Sequence, residues 1–375
     1  MLLNARFLNK VKHIGNRTGM LDLYRFLRDG YKHFDFRRRY MRISHNGTEY
    51  PSKISFKLTN RCNLNCDMCY QKKTENSQEL TLEEVDRVLG NLESNFRHIS
   101  LIGGEIFLRE DIFDILDLLK DKYKKDCFLT TNGMLVDEDV ADRLSRYTNI
   151  RGIMISLDGT REVHNRLRGS EYSFDKIIGA AGLLKDRLRV YATCVVHKEN
   201  IPHMPELVRI VHGVGAYNIC FIFPIISDKT TMDATKKALD MGEFEFDVKE
   251  EASNDYDFSY ELFQTQVKEA RKTGKSLGVN VFVLPDFPDS YLSKFYHNTL
   301  FREKEMACRA IFWGKIDVNG DLLHCGHFKM SFGNLLESSF EDIWKSDKMR
   351  LFRKKLFEDN LLPVCRRCSC RLEMI

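Results

Sequence analysis

Residues 57–70 read KLTNRCNLNCDMCY, with Cys62, Cys66 and Cys69 spaced as Cys-x3-Cys-x2-Cys. Three thiolates on one short loop can converge on a single metal centre. A structural zinc site wants four ligands, usually as two Cys or Cys/His pairs. A cubane 4Fe–4S cluster presents four irons to its ligands. Three protein thiolates would leave one iron open, and an open coordination position is a catalytic feature. A zinc loop is the alternative reading of the same residues.

The loop follows an apolar run at 54–58, the first of six strand patterns. The others lie at 98–102, 127–131, 152–157, 190–196 and 218–223. Between them fall helical patterns near 81–92, 111–122, 137–146, 174–185 and 203–213. The first helix opens Thr81-Leu-Glu-Glu84, a capping-box signature. Strands alternating with helices of this length read as βαβ units and a parallel sheet. Six strands suit a partial (β/α)6 TIM-like barrel rather than a closed eight-unit one. The class is therefore α/β.

The strand ends carry further polar motifs: Ile102-Gly103-Gly104-Glu105, Thr130-Thr131-Asn132-Gly133, Ser156-Leu157-Asp158-Gly159 and, shortly after, His164-Asn165-Arg166-Leu167-Arg168-Gly169. All sit where α/β and barrel proteins place their sites. With Cys62, Cys66, Cys69 and the aromatic Tyr70, they resemble the radical S-adenosylmethionine (SAM) superfamily over about residues 52–225. The resemblance implies that the three cysteines hold a 4Fe–4S cluster whose open iron chelates SAM. Reductive cleavage then gives a 5′-deoxyadenosyl radical, which abstracts hydrogen from substrate. It further implies that Gly103, Gly104 and Glu105 bind the SAM amino group and that Ser156 lies near its carboxylate or ribose. Asn132 ends the third strand as in many relatives, Asp158 is a further polar candidate, and Arg168 pairs with the SAM carboxylate. Ile106 stands where proline is commoner.

Residues 228–269 break the βα rhythm and hold 12 acidic against 5 basic side chains. They read first as a loop or surface-helix insertion, then as an amphipathic helix over 260–272 leading to a strand at 279–284. Beyond Cys308, apolar runs at 311–318 and 322–324 flank Asn319-Gly320, a strong hairpin signal, and a helix is expected over 340–357. Cys308, Cys325, Cys365, Cys368 and Cys370 lie in this region. Their arrangement resembles the C-terminal SPASM domain of radical SAM enzymes, or its shorter Twitch form. The full form needs about seven cysteines, so the resemblance implies one auxiliary 4Fe–4S cluster on Cys308, Cys325, Cys365 and Cys368. Cys370 is either an alternative ligand or a spare thiol; four such thiolates could also bind zinc. His324 and His327 flank Cys325 as solvated or supporting side chains. The domains are expected at 1–50 (basic helical extension), 51–226 (core), 227–300 (acidic connector completing the core) and 301–375 (small α+β cluster domain).

Of the 11 cysteines, Cys127, Cys194 and Cys220 remain, each alone in a strand pattern. Such cysteines are ordinarily small core hydrophobes. Cys194 is also a candidate hydrogen donor, by resemblance to radical epimerases. The balance of 58 Lys/Arg and 54 Asp/Glu gives no field that implies nucleic acid. No run of about 18 apolar residues suggests a membrane helix, and no signal peptide is read, so a cytoplasmic location is expected. Residues 1–50 carry 11 basic and 4 acidic side chains with interleaved aromatics. They read as a packed helical arm or a peripheral membrane contact. The family resemblance implies an electron donor such as flavodoxin or ferredoxin. The expected substrate is a small molecule or cofactor undergoing oxidation or rearrangement, with a ribosomal peptide as the alternative. A non-enzymatic iron–sulfur or zinc protein is the distant third reading.

Overall fold

The computed structural model describes Arg38 and residues 50–374, apart from 52, 70–77, 93–95, 97, 225, 243, 247–248, 251–257, 286, 288, 297–305, 327, 359–360 and 370–371. The basic arm apart from Arg38 and Tyr50, together with Tyr70, His327 and Cys370, therefore lies outside the described residues.

Six strands form where apolar alternation placed them: β1 (Lys53–Lys57), β2 (His98–Ile102), β3 (Asp126–Thr131), β4 (Ile150–Ser156), β5 (Val190–Val195) and β6 (Asn218–Ile222). A seventh, β7 (Asn280–Leu284), pairs in parallel with β6. At the opposite edge β8 (Trp313–Ile316) pairs in parallel with β1. The hairpin partner β9 (Asp321–Leu323) and then β10 (Ser331–Asn334) add antiparallel strands. The sheet order is β7-β6-β5-β4-β3-β2-β1-β8-β9-β10, with no pairing between the two ends among the described residues. The six expected parallel strands thus become eight, because one strand from the connector and one from the C-terminal region dock on the two edges.

Period-two alternation divides the sheet into two faces. Ile54, Phe56, Ile99, Leu101, Leu129, Ile153 and Ile155 on one face are buried. They pack against amphipathic helices, including α1 (Leu82–Asn91), α2 (Ile112–Asp117), α3 (Glu138–Ser145), α5 (Ser173–Leu184) and α6 (Met204–Gly213). The Thr81 capping box is formed: its hydroxyl accepts from Glu84 N–H and the Glu84 carboxylate accepts from Thr81 N–H. A helix not read from sequence, α4 (Arg161–Arg168), ends on Gly169 with φ +64°. The opposite face is the inner wall of the partial barrel, lined by polar and half-buried side chains.

The C-terminal region is tied to this core. Asn91 at the end of α1 donates to Leu335 O and Ser338 O, both at 2.7 Å, and accepts from Phe340 N–H. The expected helix over 340–357 is two helices, α9 (Phe340–Trp344) and α10 (Asp347–Glu358), which bury Phe340, Trp344, Met349 and Phe352. The insertion forms α7 (Lys229–Leu239) and α8 (Tyr260–Leu277). In α7, Thr235 accepts from Val364 N–H beside the cysteine turn at 365–368.

Candidate functional site

A cavity of about 230 Å³ opens at the C-terminal ends of β1–β5. Cys62, Cys66 and Cys69 line it, with Gly103, Gly104, Thr130, Asn132, Ser156 and Arg168 among the other walls. Close backbone approach builds the cysteine loop. Gly104 N–H donates to Thr59 O and Glu105 N–H to Arg61 O. A Cβ on Gly104 would lie 2.2 Å from Arg61 O, so only glycine permits this contact. On the far side Asp67 N–H donates to Leu167 O, which docks the loop on α4.

Arg168 and Asp158 form a buried ion pair. Arg168 Nε is 2.6 Å from Asp158 Oδ2, and a second guanidinium nitrogen reaches the same oxygen. Asp158 Oδ1 accepts from Val195 N–H at 2.8 Å. The third guanidinium nitrogen lies 3.6 Å from Cys66 Sγ. Burial disfavours the Arg168 charge, but Asp158 and Cys66 outweigh it and hold the guanidinium pKa above its usual value. Burial likewise raises the Cys66 thiol, with Arg168 opposing. Asn132 donates to Asn63 at 2.8 Å and lies 3.8 Å from Cys62 Sγ. The Cys62 and Cys66 sulfurs therefore each have a nitrogen donor beside them. Among the described residues no three His, Cys, Asp or Glu side chains converge as a single-ion cage; the three thiols instead share one cavity.

Glu105 departs from the sequence expectation. It is 0 % exposed and is not among the cavity walls. Its carboxylate accepts from Thr131 Oγ1 (2.9 Å), Asn132 N–H (2.7 Å) and Phe107 N–H (3.2 Å). Burial raises its pKa while these donors oppose the rise. Its carboxylate fixes the end of β3 instead of facing a ligand ammonium. The Gly103-Gly104 backbone supplies that wall.

Cys194 is a second correction. It is 0 % exposed on the helix-facing side of β5, where Asn200 Nδ2 lies 3.4 Å from its sulfur. Alternation sends Val195, its neighbour, to the cavity instead. A hydrogen donor must reach the cavity, and Cys194 does not. Asn60, Met68, Thr130, Thr131 and Val195 line the cavity without having been singled out in the sequence. Thr130 and Val195 could have been found by counting alternation back from the strand ends.

The C-terminal cysteines occupy a different setting. Cys308 and Cys368 are buried, and Cys325 and Cys365 are half-buried against the same apolar core. Strand Met306–Cys308 pairs with Leu372–Met374, setting Cys308 opposite Leu372. The chain segment that carries Cys365 and Cys368 is thereby returned beside Cys308.

Residues 56–211 match the Radical SAM superfamily model, and residues 308–369 match the SPASM iron–sulfur cluster-binding domain. The chain is 24% identical over 333 residues to AdoMet-dependent heme synthase of Methanosarcina barkeri, covering 86% of this chain and 89% of that one. It is 25% identical to Fe-coproporphyrin III synthase of the same organism over 200 residues, half of each chain. It is 31% identical over 170 residues to the subtilosin biosynthesis protein AlbA of Bacillus subtilis, spanning 38% of that protein. In fold it is similar to Streptococcus suis SuiB bound to S-adenosylmethionine, with TM-score 0.61 and 18% identity over 93% of this chain and 79% of that one. Three thiols around one cavity, with glycine backbone and polar strand ends beside them, suit a 4Fe–4S cluster and SAM, and the C-terminal thiols suit auxiliary iron–sulfur chemistry. The chain belongs to the radical SAM enzymes that carry a C-terminal SPASM iron–sulfur domain.

Proposed function

We propose that this enzyme oxidises or rearranges a small-molecule or cofactor substrate of tetrapyrrole type. The observation that carries the reading is the likeness to AdoMet-dependent heme synthase, which runs along 86% of this chain and 89% of the relative. In this proposal Cys62, Cys66 and Cys69 hold the catalytic cluster. When bound, the cluster with SAM supplies a 5′-deoxyadenosyl radical by reductive cleavage at the open iron. The chain's own residues do the positioning. The Gly103-Gly104 backbone, Asn132 and Ser156 line the SAM cavity. Arg168, locked by Asp158, places fixed positive charge beside Cys66, where it favours thiolate ligation and an anionic carboxylate of SAM. Cys308, Cys325, Cys365 and Cys368 hold one auxiliary cluster. Their apolar setting suits electron acceptance after hydrogen abstraction, and a flavodoxin- or ferredoxin-type donor supplies the first electron.

Peptide modification is the second reading. It is favoured by the 31% identity to the subtilosin protein and by the fold likeness to SuiB, which has also been seen bound to its precursor peptide SuiA. The test is anaerobic turnover of the reconstituted enzyme with SAM, reductant and either Fe-coproporphyrin III or a glycine- and cysteine-containing precursor peptide. A substrate-dependent burst of 5′-deoxyadenosine and a mass change in the tetrapyrrole support the first reading. The same response to the peptide alone replaces it with the second.

A further inference from the structure

The inner wall of the barrel carries a cationic, aromatic patch that shares only Thr130 with the cavity for SAM. Alternation places Lys53, Ser55 and Lys57 of β1 on this face, with Trp313 and Lys315 of β8, Ser100 of β2, and Phe128 and Thr130 of β3. Register sets Lys315 opposite Ser55, Ser55 opposite Ser100, and Lys53 opposite Trp313. The Lys53 ammonium sits 4.8 Å from the Trp313 ring centre and 5.8 Å from that of Phe128. Lys57 lies 3.9 Å from Asp317. Asp126, at the far margin, is taken by Arg151 at 2.7 Å, with His98 at 3.7 Å.

Lys315 stands apart from the other two. Among the described residues it has no hydrogen-bond or ion-pair partner. Its Nζ would lie 2.8 Å from a Cβ on Gly326, so the ammonium rests against the residue that follows Cys325. Ser100 is 3 % exposed, and its hydroxyl has no hydrogen-bond partner among the described residues; nor has that of Thr130. Buried hydroxyls are normally satisfied, because leaving one unpaired is costly. Thr130 also lines the SAM cavity. The patch thus runs from the SAM cavity to the Cys325 loop.

We infer that this wall is the subsite for a substrate carboxylate, with Lys315 as its anchoring cation. The ammonium supplies the charge. The hydroxyls of Ser100 and Thr130 supply neutral donors, and the rings of Trp313 and Phe128 flank the apolar body that carries the acid. A carboxylate held here lies between the SAM cavity and the Cys325 loop, as an intermediate passing an electron from one to the other requires. The inference deepens the proposed function. It rests on that reading only for the molecule that carries the carboxylate.

The test is equilibrium binding to the reconstituted, unreduced enzyme. Fe-coproporphyrin III and its tetramethyl ester are titrated by Soret absorbance, and an acidic peptide and its side-chain amide analogue by fluorescence anisotropy. Wild-type, Lys315→Gln and Lys315→Arg proteins are compared, with iron content and circular dichroism verifying loaded, folded protein. Lys315→Gln is expected to weaken binding of the carboxylate probe by about tenfold to a hundredfold, the range for a hydrogen bond to a charged group. It should leave the ester or amide unchanged, and Lys315→Arg should recover most of the loss. If only the acidic peptide shows the Lys315-dependent loss, the subsite stands and the tetrapyrrole reading fails. Acid and ester bound equally, acid binding untouched by Lys315→Gln, or no carboxylate-dependent binding by either probe would overturn the inference.

Discussion

The chain holds its thiols in two contrasting settings. Cys62, Cys66 and Cys69 line a cavity at the mouth of the barrel, with Arg168 and Asn132 beside two of the sulfurs. Cys308 and Cys368 are buried in the apolar core, and Cys325 and Cys365 are half-buried against it. One setting leaves room for a ligand beside the sulfurs, while the other surrounds them with packing. The difference teaches that ligand type alone does not assign a role. On the proposed function, access and charge around the sulfur divide the work between bond-breaking chemistry and electron storage.

The largest expected effect tests that division. Cys66→Ala should bring 5′-deoxyadenosine formation to background, whereas Cys365→Ala should retain SAM cleavage and lose substrate turnover. Equal loss in both variants, at equal iron occupancy of the remaining site, would break the contrast. Next is the ion pair that charges the first setting. Arg168→Gln strands a buried Asp158 carboxylate and should cost about 3–5 kcal/mol of stability, read from urea unfolding. An unchanged midpoint would show that Asp158 is solvated and the cavity less enclosed than described.

His164 provides a pH-dependent probe of the same wall. Its Nδ1 accepts from Asp158 N–H, and burial lowers its pKa to about 4. The unfolded histidine titrates near 6.5, so between those values the unfolded state binds more protons. Stability should therefore fall as pH falls through this window, by about 3 kcal/mol in total. A His164→Asn variant should show a flatter acid limb. Smaller still, Thr81→Ala removes the α1 cap, which does not line the cavity, and should cost about 1 kcal/mol. It should leave the ratio of product to 5′-deoxyadenosine unaltered. Cys194→Ala should have the least effect on chemistry: product formation should persist, because this thiol faces Asn200 and not the cavity. Loss of product with SAM cleavage intact would restore Cys194 as a hydrogen donor.

The sequence made the barrel core legible because its signals are local. Alternating apolar runs, the Thr81-x-x-Glu84 cap and the clustered cysteines each act within a few residues. The edges were less legible. That β8 joins β1 in parallel is decided across some 260 residues of chain, and no local pattern reports it. The helix α4 was hidden because half of its residues are charged and only Val163 and Leu167 are apolar. Most of the strand-end motif residues meet at one cavity, while two side chains point elsewhere. Glu105 turns inward because Thr131 and Asn132 offer it donors, and Cys194 turns outward because strand parity gives the cavity to Val195. The carboxylate-binding wall was invisible for the same reason. Lys53, Ser100 and Lys315 come together only through register.

The central claim is that the Cys62–Cys66–Cys69 cavity cleaves SAM. Its most direct measurement is anaerobic reconstitution followed by electron paramagnetic resonance of the reduced protein with and without SAM, paired with 5′-deoxyadenosine quantification. A reduced 4Fe–4S signal should shift on SAM addition, be absent from the Cys62→Ala/Cys66→Ala/Cys69→Ala variant, and be accompanied by 5′-deoxyadenosine. Bound zinc, or a cluster signal indifferent to SAM with no 5′-deoxyadenosine formed, would contradict it.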